Sequence, residues 1–392
     1  MRRVVLSLLP SSILAVGAVI VGINDRWGSV GVPLGDRNFG DLNVIFVAAE
    51  CAGTDPAWTA RSEPCQPGMA HYNYPSIWAK AFGLLNADPS WTPTVAALLM
   101  GVFVLSLIPL TWFALGGRRV VAPVLGMIVS SLTPPVWLAF QRGNIDLLMF
   151  ALITAAVCLW IARATKSAAA LIAVAATLKI FPVGAALLLT SPQRPRRGAL
   201  ITFILVGTVG ALLVFRDLST ISERTPQIDG ASFGTGLLPL LASNQLSLYM
   251  SSTLGQVIGL GVFAVVLALV TGIFQRTRTS ALGDQWQRLI RSLATDSVAT
   301  GLVLTGSGVF IIAYLLGPSY DYRLIFLILV IAGLLRVGST VALASAGVLI
   351  LQMILSYSTF VGSLEYFSDV MLIVVAPVMA LGAWQVLRRA SA

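Results

Sequence analysis

Apolar runs of about twenty residues recur along the chain, separated by short polar segments rich in Arg, Gly, Pro and aromatic residues. A helix needs about 20 mostly apolar residues to cross a hydrocarbon core of about 30 Å, where every backbone N–H and C=O must be satisfied within the helix itself. Ten windows read as full spans: residues 4–22, 94–115, 120–140, 146–162, 198–215, 254–274, 297–316, 323–336, 339–357 and 369–387. Arg2 and Arg3 precede the first as they would in a signal peptide, but no small-residue cleavage site precedes Asn24 and Asp25, which predicts a retained anchor.

The stretch 167–191 breaks the alternation. It contains Leu178-Lys179-Ile180-Phe181-Pro182; a proline ends or kinks a helix, and a lysine at mid-membrane costs about 2.5 to 3.5 kcal/mol on insertion scales. The pattern predicts two half-helices that dip in and return. The expected fold is therefore an all-α polytopic membrane protein, one integral membrane domain over residues 1–392, with about ten full spans and a re-entrant or broken helix pair.

Charge orients these elements. Cytoplasmic loops carry the Lys and Arg excess, which places Arg2/Arg3, Arg118/Arg119, Arg163/Lys166, Arg194/Arg196/Arg197, Arg276/Arg278/Arg288/Arg291 and Arg388/Arg389 on one side. Both termini and the basic loop 275–296 are then cytoplasmic. Most acids fall on the opposite face, so the chemistry is expected outside, at a plasma (inner) membrane.

Composition supports this reading. The 392 residues are 57% hydrophobic and 10% charged, with a mean hydropathy of +0.88, against about half apolar and about a quarter charged in soluble domains. A formal net charge of +9 could suggest nucleic acid, but the basic residues stand singly and in pairs between spans, with no continuous basic face. No nucleic-acid partner is expected. Of the three cysteines, Cys51 and Cys65 share the first outer loop, where an oxidising compartment permits a disulfide, and Cys158 sits in a span as a small hydrophobe.

Residues 23–93 form the longest polar stretch, and loops of that length are usually functional. Within it, Leu42 to Ala49 and Pro75 to Leu85 have the spacing of short interfacial helices. A second outer loop, 216–252, carries a Gly/Ser-rich run and reads as a mobile substrate loop or a plain connector.

Several outer ends hold polar groups that a scaffold would not need. Asp41 either caps a helix or, as a carboxylate at the membrane surface, accepts the proton of an acceptor hydroxyl. In Gln141-Arg142-Gly143-Asn144-Ile145-Asp146, Gly143 turns the chain, Asn144 caps and Asp146 opens a helix; Arg142 beside a turn of free N–H groups suits a phosphate. Lys179, at the tip of the broken pair, must face a cavity or an anion, either a substrate or the partner of a structural ion pair. In Tyr320-Asp321-Tyr322-Arg323, Asp321 and Arg323 either pair with each other or face a pocket. The only histidine, His71, lies beside Tyr72-Asn73-Tyr74-Pro75, whose aromatics suit sugar stacking or the headgroup level.

These motifs, in this order from residue 36 to about 330, resemble the GT-C membrane glycosyltransferases. The closer resemblance is to glycosyltransferase family 87, the polyprenol-phosphate-mannose-dependent mannosyltransferases and their relatives. It rests on Gly40-Asp41-Leu42-Asn43, Tyr72-Asn73-Tyr74-Pro75, Gln141 to Asp146, Leu178 to Pro182 and Tyr320 to Leu324. The resemblance implies a polyprenyl-phosphate sugar donor in the bilayer, a glycolipid or glycan acceptor, transfer of a hexose on the outer face, and a first-loop aspartate as base, here Asp41. The departing phosphate gathers negative charge in a water-poor site, and Arg142, Lys179 and Arg323 are the cations expected to hold it. Asn43, Tyr72, Tyr74, Asn144, Asp146, Tyr320 and Asp321 are the expected substrate-binding side chains. Attack from the face opposite the phosphate inverts the anomeric carbon. No cofactor is required, and a divalent metal between Asp41, Asp146 and Asp321 is conceivable but not expected. The competing readings are a secondary transporter or lipid-linked-glycan flippase, in which Lys179 would outweigh Asp41, and a non-catalytic component of an envelope-polysaccharide assembly, which would tolerate loss of Asp41.

Overall fold

The computed structural model describes residues 2–30, 32, 38–54, 72, 74–117, 119–194, 196–217, 232–233, 252–316, 319–356 and 362–391. Among them the chain is almost wholly helical. In order, the helices are α1 (Arg2–Ile23), α2 (Gly40–Thr54), α3 (Ser76–Gly83), α4 (Thr92–Ala114), α5 (Val121–Ser131), α6 (Pro134–Arg142), α7 (Asp146–Ile161), α8 (Thr165–Leu178) and α9 (Arg197–Val214). There follow α10 (Ser252–Arg276), α11 (Ala281–Thr295), α12 (Ser297–Leu315), α13 (Leu327–Val337), α14 (Thr340–Leu355) and α15 (Gly362–Ala390). The only pairing of extended backbone among the described residues is a two-residue antiparallel ladder, Ser232–Phe233 with Ser319–Tyr320.

Among the described residues six helices are long and apolar enough to cross a membrane: α1, α4 with the turn before it, α9, α10, α12 and α15. Taken together, α5 and α6, bent by 42°, are also long and apolar enough for one broken span or a re-entrant pair. The bend falls where Pro134 and Pro135 open α6, because proline removes the N–H that would continue α5. The windows 146–162 and 339–357 are filled by the 16-residue helices α7 and α14. In the window 323–336 the chain runs as a 3₁₀ turn, Asp321–Phe326, before the 11-residue α13 begins. α7, α12, α13 and the 3₁₀ run Phe181–Thr190 supply most of the interior, while α14 exposes Val348, Leu351 and Ile354 and α9 and α10 turn most of their apolar side chains outward.

The expected break at Lys179 is present. α8 ends at Leu178, Lys179 is extended, and the chain continues as the 3₁₀ run. Both ends of this segment lie at the same end of the bundle, since Arg194 donates to the Ile161 carbonyl at 3.3 Å and Gln193 to the Ala294 carbonyl at 2.6 Å. The segment thus rises and returns, which keeps the Arg163/Lys166 and Arg194/Arg196 clusters together. The same end is tied by Arg336, which ion-pairs with Asp296 at 2.7 Å and donates to the Phe113 carbonyl at 3.0 Å. The returning run packs tightly on α12. A Cβ on Gly184 would stand 2.1 Å from the Gly308 carbonyl oxygen, so only glycine allows this backbone approach.

Cys51, buried in α2, is disulfide-bonded. Cys65 lies outside the described residues, and Cys158 is free.

Candidate active site

The opposite end of the bundle gathers the charged residues of the interior. Its frame is the α6–α7 turn. Gly143 ends α6 with φ +59°, in the left-handed region, and a Cβ there would lie 3.1 Å from the Phe39 Cβ and 3.3 Å from the Leu42 Cβ. Glycine therefore serves both the turn and the close approach of α2. Phe39 donates its N–H to the Gln141 carbonyl at 2.6 Å, which sets the first turn of α2, and with it Asp41, beside Asn144.

Asn144 is wholly buried and its side chain joins three groups. Its Nδ2 donates to Asp41 Oδ2 at 2.5 Å, while its Oδ1 accepts the Asp146 N–H at 2.8 Å and Lys179 Nζ at 3.3 Å. Asp146, with no exposed side-chain surface, faces Lys179 Nζ at 2.5 Å and Arg323 Nε at 3.6 Å. Arg142 Nη1 stands 3.9 Å from Asp41 Oδ1 and is the most exposed member, at 39%. Among the described residues three cations, Arg142, Lys179 and Arg323, face two carboxylates in low dielectric.

Aromatic rings wall this cluster. Lys179 Nζ lies 5.3 Å from the Tyr74 ring centre, 5.7 Å from Phe181 and 5.9 Å from Tyr322, and the Arg323 guanidinium lies 4.9 Å from Phe181. Such contacts hold the cations without consuming their N–H donors. α3 braces the wall: Trp78 Nε1 donates to the Leu178 carbonyl at 3.0 Å, satisfying an open carbonyl at the end of α8. Ser76 donates its N–H at 2.8 Å and its hydroxyl at 2.7 Å to Asp217 Oδ2, which fastens α3 to the end of α9.

Asp41 has the surroundings of a tuned base. Burial pushes its carboxyl above the usual carboxylate range, while Arg142, the Asn144 hydrogen bond and Lys179 pull the other way. Burial also pushes the Tyr72 phenol upward.

Of the residues expected from sequence, the structure brings Asp41, Arg142, Asn144, Asp146, Lys179, Arg323 and Tyr74 into one cluster. Tyr72 is adjacent, its ring 6.0 Å from that of Tyr74, but its hydroxyl donates to the Pro75 carbonyl at 2.7 Å. Asn43 lies on α2 and donates its backbone N–H to the Phe39 carbonyl at 2.9 Å. The side chains of Tyr320 and Asp321, together with His71 and Asn73, lie outside the described residues. Arg323 faces Asp146; its expected alternative partner, the Asp321 side chain, lies outside the described residues. Phe181, Ser76 and Asp217 were not singled out as site residues from sequence. Phe181 and Tyr322 lay inside quoted motifs, whereas nothing in the local pattern joins Ser76 to Asp217 across 141 positions.

Among the described residues Asp41 and Asp146 are the carboxylates of the cluster, and no group of three or more metal-ligating side chains gathers.

Residues 72–223 match the model of glycosyltransferase family 87. The family implies a membrane glycosyltransferase. The segment matching family 87 includes Tyr72, Tyr74, Arg142, Asn144, Asp146, Lys179 and Asp217, and leaves Asp41 before it and Arg323 after it. The cluster is therefore completed by parts of the chain outside the family 87 match. No curated protein and no solved structure matches the chain.

Proposed function

We propose that the chain transfers a hexose from a polyprenyl-phosphate donor to a glycolipid or glycan acceptor, with Asp41 as general base. The observation that carries this is the Asp41 carboxylate, linked through Asn144 to a buried group of cations. The acceptor hydroxyl gives its proton to Asp41 as its oxygen bonds to the anomeric carbon. The bond from that carbon to the phosphate oxygen breaks, and its electron pair leaves on the phosphate. Departure on the side opposite attack inverts the anomeric centre. Arg142, Lys179 and Arg323 stabilise the departing charge, and their preset positions avoid reorganisation during the step. Tyr74 offers a ring for the sugar. The basic end of the bundle is assigned to the cytoplasm and this end to the outer face, following the distribution of Lys and Arg. The membrane is assigned as the plasma membrane.

The test is sugar transfer by purified protein offered polyprenyl-phosphate hexoses with glycolipid acceptors. Transfer by the native chain that is lost in a folded Asp41→Asn variant supports the proposal. Equal transfer by both moves the base elsewhere. No transfer with any donor, together with substrate movement that depends on Lys179, replaces the enzyme with a transporter.

A further inference from the structure

At the basic end, the last turns of α10 and α15 and the flank of α11 enclose a cavity of about 470 Å³. Its lining combines Arg278, Arg388 and Arg389 with Phe274, Leu381 and Trp384, and with the polar side chains of one threonine and three glutamines. No carboxylate lines it, and none of the three arginines forms an ion pair among the described residues. Arg389 is half-buried, and Arg278 and Arg388 stand exposed at the rim. Three guanidinium groups thus meet at one hollow whose lining holds no carboxylate.

The walls are held in place. Trp286 stacks on Phe274 with ring centres 4.7 Å apart and donates its Nε1–H to Gln385 Oε1 at 2.8 Å, while Arg389 donates to Gln287 Oε1. Trp384 is 63% exposed, as suits a side chain at the headgroup level. α11 is amphipathic, with Leu289, Ile290 and Leu293 buried and Arg288 and Arg291 facing out, so it lies across the bundle end rather than through the bilayer. The cavity is separated from the Asp146 cluster by the 19-residue α12, about 28 Å of helix, so it is a different site.

We propose that this cavity binds the phosphate headgroup of an anionic phospholipid, with the guanidinium groups on the phosphate and the acyl chain leaving along Phe274, Leu381 and Trp384. Arginine meets phosphate in a bidentate fashion, and Phe274, Leu381 and Trp384 beside the guanidinium groups favour a lipid phosphate over a free one.

The test uses the full-length protein in mixed micelles containing phosphatidylglycerol or phosphatidylcholine, with retained lipid counted by native mass spectrometry. The expected result is selective retention of phosphatidylglycerol. It should weaken about hundredfold or more in Arg278→Gln/Arg388→Gln/Arg389→Gln and about five- to tenfold in the milder Arg388→Gln. Arg288→Gln/Arg291→Gln, which removes charge from the outer face of α11, should retain the lipid as the native chain does. Unchanged retention in the cavity variants, equal loss in the outer-face variant, or equal retention of phosphatidylcholine overturns the proposal. Displacement of phosphatidylglycerol by millimolar inorganic phosphate overturns the lipid assignment in favour of a free anion.

Discussion

The Asn144 amide donates to the Asp41 carboxylate at 2.5 Å, a contact spanning 103 positions of sequence. The same side chain accepts from Lys179 and from the Asp146 backbone. One buried amide thus couples the carboxylate proposed as base to the cations proposed to receive the leaving group, and fixes their spacing before any substrate arrives.

Replacing Asp41 by Asn keeps the size and one acceptor oxygen while removing the base. Transfer should fall by about 10² to 10⁴-fold, the usual contribution of a positioned general base, with an unchanged unfolding midpoint in the same detergent. Activity within a few-fold of native would remove Asp41 from the mechanism.

Because burial raises the Asp41 carboxyl, the acid limb of the rate profile should lie above the ordinary carboxylate value of about 3.9. Activity requires the ionised form and is lost as pH falls through the raised value. Stability moves the other way: the folded state binds this proton more tightly than the unfolded state. The contribution is therefore present below about 3.9 and disappears as pH rises through the raised value. Rate and unfolding curves between pH 4 and 8 should show these opposite slopes.

Asn144→Ala removes a hydrogen bond that favours the ionised Asp41. A bond to a charged group is worth about 1.5 to 3 kcal/mol, so the acid limb should move up by about one to two pH units. Partial recovery at higher pH identifies a role through Asp41; loss equal at every pH would indicate a purely structural one.

Asp146→Asn leaves Lys179 and Arg323 buried together without their carboxylate. Breaking a buried pair in this way costs about 3 to 5 kcal/mol, so the unfolding midpoint should drop sharply. Adding Lys179→Met should recover part of the loss, and a double variant no more stable than Asp146→Asn would argue against direct pairing.

Gly184→Ala should destabilise by about 1 to 3 kcal/mol, since backbone on α12 cannot yield to a Cβ as a flexible side chain can. Gly207→Ala, with nothing within 4 Å, is the control and should be neutral or stabilising by up to about 1 kcal/mol. Unfolding midpoints of the two variants decide it.

Hydropathy made the helical membrane architecture, the break at Lys179 and the basic end legible, because these follow from local chemistry. A helix in lipid satisfies its backbone within itself, a proline or buried lysine interrupts it wherever it packs, and arginine seeks the aqueous end. Motif chemistry likewise singled out Asp41, Arg142, Asn144, Lys179 and Arg323 one by one. Their partners were not legible. Asp146 read as a helix-opening acid and a substrate contact, yet packing sets it between Lys179 and Arg323; Asp217 fell within the loop 216–252 with no role, yet it receives Ser76 from 141 positions away. The length of a crossing was also a matter of packing: the α5–α6 bend and the 3₁₀ turn before α13 shorten helices that composition alone would let run on. Periodicity and burial preference act over a few residues and are written along the chain. The meeting of Asp41 with Asn144, or of three arginines around one hollow, depends on how separate helices settle against each other, and only the folded protein decides that.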